Sequence, residues 1–159
     1  MQAYHFSDNL EENYKLMVQT VRAYLDGERN VIANLSNASS IINEYISDIN
    51  WAGFYLMEDG ELVLGPFQGK PACIRIQVGR GVCGTTVAKK ETIVVEDVHA
   101  FPDHIACDSA SNSEIVIPIF KNGAVFGVLD IDSPLFNRFC ELEKQYLEEV
   151  VALIEASLV

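Results

Sequence analysis

Positive charge is scarce in this chain. Its 159 residues hold 11 lysines and arginines against 23 aspartates and glutamates, a formal charge of −12. Such a balance repels phosphate backbones and anionic lipid surfaces, so a nucleic-acid or membrane-surface role needs a local basic patch. The densest basic stretch, Lys89-Lys90, is two residues long and Glu91 follows it at once. Long apolar runs are missing too. The longest uncharged apolar stretch, Ile115 to Phe120, contains Pro118 and falls far short of the roughly 20 residues that span a bilayer. The opening Met1-Gln2-Ala3-Tyr4-His5-Phe6 has neither the basic start nor the apolar run of a secretory signal, so the sequence predicts a cytoplasmic chain. No repeat, low-complexity run or linker divides it, which predicts one domain over residues 1–159. With 49% hydrophobic and 21% charged residues, disorder is excluded as well. Four cysteines remain, Cys73, Cys83, Cys107 and Cys140. In a reducing compartment each is a packing residue, a metal ligand or a redox thiol.

Hydrophobic periodicity orders the rest. Asp8 with Glu11 suggests a capping box, and Leu10, Tyr14, Met17, Val21 and Leu25 recur at helical spacing up to Gly27. A second helix is predicted over 30–45, with Val31, Leu35, Ala38, Ile42 and Tyr45 inward. Short strands follow: 51–56 and 62–64 around an Asp59-Gly60 turn, 73–78, and 92–96 after a short helix over 82–89. A long polar loop, 97–113, precedes a hairpin of 114–120 and 124–131 around Asn122-Gly123, and a last helix covers 139–157. This order predicts an α+β domain: an antiparallel sheet of about six strands with helices mainly on one face.

Several groups carry chemistry. Loops longer than about 12–15 residues in compact domains are usually functional or disordered, and this one holds His99, His104 and Cys107. Cys107 sits in a polar setting, Ala106 to Ser113, which presents a thiol instead of packing it. Cys83 follows the Gly79-Arg80-Gly81 turn into a helix, where first-turn N–H groups are expected to favour a thiolate. The spacing of Cys73, Cys83 and Cys107 does not fit a zinc site built from C-x2-C knuckles. A mixed site of His99, His104 and Cys107 lacks a defined fourth ligand. Asp130 and Asp132, two apart in a strand, point to one face, and Glu114 stands in the partner strand. Like charges this close push one carboxyl pKa upward, giving an acid able to donate a proton near neutrality; the plainer alternative is a solvated strand end. Metal binding by these carboxylates is disfavoured, since no calcium-type loop is present. Trp51 and Tyr55 share a strand face with Gly53 between them, leaving a notch for a small apolar group, unless the rings only pack the core.

The hairpin around Asn122-Gly123 sets a register question. With a two-residue turn and an unbroken ladder, Glu114 opposes Ile131 and points away from the aspartates. A three-residue loop places Glu114 opposite Asp130 and on their face, as does an equivalent bulge nearer Glu114. A shared carboxylate pocket favours the three-residue loop, or an equivalent bulge nearer Glu114.

Taken together, the segments Asn50-Trp51-Ala52-Gly53-Phe54-Tyr55, Gly65-Pro66-Phe67-Gln68-Gly69, Cys73, Gly79-Arg80-Gly81-Val82-Cys83-Gly84, Asp103-His104-Ile105-Ala106-Cys107-Asp108 and Gly127-Val128-Leu129-Asp130-Ile131-Asp132-Ser133 resemble the free methionine-(R)-sulfoxide reductases, which are built on one GAF domain. The resemblance covers nearly the whole chain. It implies reduction of free L-methionine (R)-sulfoxide, with Cys107 as nucleophile and Cys83 and Cys73 as the thiols that form and relay the disulfide, in an order left open. It further implies that Glu114, Asp130 and Asp132 hold the substrate's ammonium and sulfoxide groups. Trp51, beside Tyr55, would contact the methyl end. No metal or organic cofactor is called for; a dithiol donor, thioredoxin by analogy, would supply electrons, and the family suggests a homodimer. Cys140 lies outside the motif and is expected to pack in the last helix, so an oxidised protein should pair Cys107 with Cys73 or Cys83. Two other functions compete with this one: a non-catalytic GAF module binding a small ligand, and a thiol peroxide sensor or zinc protein.

Overall fold

Alternation, caps and turns build the elements in the expected order. A computed structural model describes residues 8–105 and 108–158. Helix α1 runs Leu10–Leu25 and α2 runs Val31–Tyr45. Each is opened by an asparagine whose side chain accepts a first-turn N–H: Asn9 from Glu12 at 3.1 Å and Asn30 from Ala33 at 2.9 Å. The cap of α1 is therefore Asn9 and not an Asp8–Glu11 box, and Leu10, beside the cap, is 45% exposed instead of inward. Strands β1 (Trp51–Glu58) and β2 (Glu61–Gly69) form a hairpin, and β3 (Arg75–Gln77) adds to β2. Both turn residues, Asp59 and Gly60, have positive φ, 52° and 85°, as a two-residue turn of the twist-matching kind requires. Helix α3 (Gly81–Lys89) and β4 (Ile93–Val95) follow, then the loop with a 3₁₀ turn at Val98–Ala100, strands β5 (Ser113–Lys121) and β6 (Ala124–Ser133), and α4 (Glu141–Ser157).

The six strands form one antiparallel sheet in the order β3-β2-β1-β6-β5-β4. Its two faces have different company. Ala52, Phe54, Ile115, Ile117, Leu129 and Ile131 join the inner faces of α1, α2 and α4 in the larger core. Trp51, Tyr55, Val116 and Val128 point the other way, onto α3 and the long loop, with Val82, Val87 and Val98. This second face carries the candidate site residues Trp51, Tyr55 and Cys83. Glu143, buried in α4, ties the helical layer together: it accepts from the Tyr14 hydroxyl at 2.8 Å and the Cys140 N–H at 2.8 Å, and stands 3.6 Å from Arg138. Cys140 is thus an exposed residue capping α4, not a packing residue inside it.

Two irregularities decide what faces the pocket. Between Gly53 and Tyr55 the β1–β2 register shifts, so two residues of β2, Gly65 and Pro66, face the single Phe54; the bulge accommodates a proline that has no N–H to give a ladder. In the β5–β6 hairpin the turn is the two-residue one, with Asn122 and Gly123 at φ 52° and 80° and Lys121 facing Ala124. The three-residue loop does not form. A bulge at Phe126 takes its place: Phe120 pairs Val125, Ile119 pairs Gly127, and from there the ladder runs unbroken to Glu114 opposite Asp132. Beside the bulge β1 lies close, since a Cβ on Gly127 would stand 2.4 Å from the Tyr55 carbonyl oxygen. The glycine lets the two backbones close together where the bulge turns the strand.

Candidate active site

The corrected register brings the acidic residues together. Glu114 faces Asp132 across β5–β6, and Asp130 and Asp132 face Gly53 and Trp51 across β6–β1. All three carboxyls border one pocket of about 560 Å³, part of it open to solvent, together with Trp51, Tyr55 and Cys83. Glu114 is 7% exposed and Asp130 5%, so water hardly reaches either. Burial, then the charges of Asp130 and Asp132, hold Glu114 well above the ordinary carboxyl range. Burial likewise raises Asp132 strongly, with the Asp130 charge second. Asp130 is raised too, but hydrogen bonds from Glu114, Cys83 and Asp132 oppose the shift, so it is the member best fitted to carry the negative charge. One oxygen of Asp130, Oδ1, is buried with no donor among the heavy-atom contacts. Its needs are met by protons on neighbouring acids or by a cation entering the pocket.

The walls come from four segments. Trp51 is clamped: its indole N–H donates to the Lys70 carbonyl at 3.2 Å, and its ring stacks on Phe67 and Tyr55 at centroid distances of 5.2 and 5.9 Å. The notch expected at Gly53 is already filled. A Cβ there would lie 2.2 Å from Phe67 Cβ, so the missing side chain admits Phe67 and not a ligand. The Tyr55 hydroxyl donates to the Cys73 carbonyl at 2.8 Å, fixing the segment that leads into β3. Cys73 itself precedes that strand, is half-buried, and is disulfide-bonded. Cys83, in the first turn of α3, carries a free thiol and is 5% exposed. Its expected thiolate character is reversed: burial and the nearby carboxyls of Asp130, Glu114 and Asp132 push the thiol well above its ordinary value. The dipole of a nine-residue helix does not overcome a buried acidic neighbourhood.

Of the remaining lining residues the sequence singled out His104 and gave the others no individual role. Gly79 and Gly81 have φ of 87° and 62°, and between them Arg80 is the N-cap of α3, exposed at the pocket lip. An arginine cap offers no acceptor, so the first N–H groups of α3 receive no side-chain cap. From the long loop come His104, Ile105 and Asp108, with Ser111 behind them. Asp108 is held below the usual carboxylate range by the Ala110 N–H and the Asn50 amide, at 2.9 and 3.0 Å. His104 is lowered by burial and by His99. His99 turns to the Asn112 side chain at 3.0 Å and is exposed, apart from the pocket. Cys107 falls outside the described residues.

The chain matches the GAF domain family over residues 9–158, so the six-stranded sheet with a pocket on one face is a GAF domain. Among its relatives, the free methionine-R-sulfoxide reductase of Escherichia coli (strain K12) is 53% identical over 150 residues, covering 94% of this chain and 91% of that protein. The structure of the free methionine-R-sulfoxide reductase from Neisseria meningitidis in complex with its substrate has a TM-score of 0.93 and 44% identity, over 99% of this chain and 95% of that one. The reduced form of the Staphylococcus aureus fRMsr has a TM-score of 0.91 and 47% identity, over 100% of both chains. This chain belongs to the free methionine-R-sulfoxide reductase family of GAF-domain proteins. Among the described residues no helix is long and apolar enough to cross a membrane.

Proposed function

We propose that this protein, working as one GAF domain over residues 1–159, reduces free L-methionine (R)-sulfoxide to L-methionine by cysteine thiol chemistry. The observation that carries the reading is the meeting of three raised carboxyls and a buried thiol at the base of one pocket walled by Trp51. A free amino acid brings an ammonium that a peptide lacks, and the orphaned Asp130 oxygen is its natural acceptor. Trp51 and Tyr55 border the apolar end. Arg80 and the uncapped N–H groups of α3 receive the α-carboxylate, the one remaining charged group of the substrate. The pocket then reads both ends of a zwitterion.

In the reaction, the Cys107 thiolate attacks the sulfoxide sulfur while protonated Glu114 or Asp132 donates to its oxygen. The oxygen passes to Cys107 as a sulfenic acid and methionine leaves. The Cys73 thiol displaces that oxygen as water and forms the disulfide; two thiols are oxidised and the sulfoxide is reduced by the same two electrons. The choice of Cys73 draws support from its being disulfide-bonded while Cys83 and Cys140 are free. Cys83, whose thiol burial holds protonated beside Asp130, is the later relay thiol. A dithiol donor of the thioredoxin type restores the enzyme, no metal or organic cofactor takes part, the protein is cytoplasmic, and the assembly is a homodimer.

The test is NADPH consumption coupled through thioredoxin and its reductase. Turnover with the free R epimer, and none with the S epimer or a peptide-bound sulfoxide, is expected. Turnover retained by a Cys107→Ser variant would overturn the assignment. A binding module without chemistry would show affinity for the sulfoxide but no methionine release.

A further inference from the structure

Three donor atoms of unlike chemistry meet beneath the substrate pocket. Cys83 Sγ, one Glu114 oxygen and one Asp130 oxygen lie within 4.8 Å of one another, and all three residues are buried. Asp130 Oδ1, on a side chain 5% exposed, has no hydrogen-bond donor and borders the same pocket. A buried acceptor without a donor is answered strongly by a cation.

From these contacts we infer that the reduced protein binds a thiophilic divalent cation, Zn²⁺ in type, through Cys83, Glu114 and Asp130, and that the cation shuts the enzyme off by occupying the ammonium site.

The donor set selects the metal. Two carboxylates alone would suit Mg²⁺ or Ca²⁺, but those ions take six or more oxygens and have little use for sulfur. One thiolate with two carboxylates, and a fourth position open toward the pocket, is a tetrahedral arrangement of the zinc kind. Zinc bonds of about 2.3 Å to sulfur and 2.0–2.2 Å to oxygen put neighbouring donors roughly 3.5 Å apart. Side-chain rotations that draw the atoms about 1 Å closer therefore suffice. On binding, the Cys83 S–H and the Glu114 O–H each lose a proton to solvent while bonds to the metal form, and nothing is oxidised or reduced. The three ligands come from α3, β5 and β6, which the fold already holds together. Arg80 at the pocket lip opposes the cation's entry, while Asp108, Asp132 and the overall charge of −12 favour it.

Metal binding stands apart from the proposed activity; only the competition with sulfoxide rests on that reading. The test uses reduced, full-length protein with Cys140→Ala, which removes the exposed thiol, titrated anaerobically with Co²⁺ alone. A thiolate-to-cobalt absorption band saturating at one equivalent is expected, retained in Cys73→Ser and absent in Cys83→Ser, where affinity falls about 100-fold or more. Asp130→Asn should keep the band and lose about tenfold or more in affinity. No band, a band lost with Cys73, or a band surviving Cys83→Ser overturns the site, as does unchanged affinity in Asp130→Asn. In single-turnover methionine release without external thiol, Zn²⁺ should slow the reaction at low sulfoxide and not at saturating sulfoxide. Slowing that is independent of substrate overturns the shared site. Absence of methionine release in metal-free protein refutes the proposed function and leaves the cobalt result standing.

Discussion

Replacing Glu114 by glutamine should stabilise the fold at neutral pH and remove its proton donor. In the unfolded chain this carboxyl titrates near its ordinary value of about 4.3, whereas in the fold burial and two aspartates hold it well above. Below the unfolded value both states keep the proton, and the contribution to stability is complete. As the pH rises past it, the unfolded chain ionises and gains hydration while the folded one stays protonated, so stability drains away until the folded carboxyl ionises too. One proton retained only by the fold costs about 1.4 kcal/mol per pH unit. Glutamine keeps the shape and cannot ionise. The stability of Glu114→Gln relative to the parent should therefore improve, above the ordinary carboxyl value, by up to about 1.4 kcal/mol for each pH unit over which the folded carboxyl keeps its proton, or roughly 3–5 °C in Tm for a chain of this size. Urea unfolding of both reduced proteins between pH 5 and 8 measures it, below the ordinary Cys83 value of 9.0. The same variant should lose about 10²–10⁴ in kcat if the carboxyl is the acid. Stabilities of the two proteins that run parallel across this range would mean that Glu114 is ionised in the fold and that the reasoning fails.

Gly53→Ala should cost about 3 kcal/mol, the upper end for overpacking, because its Cβ would stand 2.2 Å from Phe67 Cβ and 2.7 Å from Phe67 Cα; a loss under about 0.5 kcal/mol in urea would show that β2 gives way freely. Glu143→Ala should cost about 3–5 kcal/mol by leaving Arg138 and Tyr14 without their buried partner, and calorimetry should find Tm lower by roughly 6–15 °C. Arg80→Gln should raise KM for the free sulfoxide about 10–100-fold and move kcat less, as loss of a charge-assisted contact predicts; an unchanged KM would remove Arg80 from carboxylate binding. Iodoacetamide at pH 8 should label exposed Cys140 well before buried Cys83, whose thiol is held protonated. Peptide mass mapping would show the order, and faster labelling of Cys83 would contradict the burial argument.

Alternation and turn chemistry made most of the fold legible: Asp59-Gly60 and Asn122-Gly123 both form the two-residue turns their residues prefer. Convergence of Asp130 and Asp132 followed from strand periodicity alone. The partner of Glu114 did not, because the bulge at Phe126 arises where Gly127 meets the Tyr55 carbonyl, a contact between strands far apart in sequence. Long-range packing likewise hid the filling of the Gly53 notch by Phe67 and the reversal at Cys83. A helix start reads as anion-friendly in sequence, but the carboxyls that dominate it come from β5 and β6. Arg80 looked like part of a glycine turn; its signal, a cap residue with no acceptor, has meaning only once the pocket is seen beside it.

A single-turnover assay of the fully reduced protein, with no external thiol, reaches the central claim most directly. Mixed with excess free L-methionine (R)-sulfoxide, the protein should release about one methionine per chain by amino-acid analysis, lose two thiols, and show Cys73 joined to Cys107 by peptide mapping. The S epimer and an N-acetylated sulfoxide, which lacks the ammonium, should release almost none. Equal release from the N-acetylated compound, or methionine formed without loss of thiols, would contradict the account.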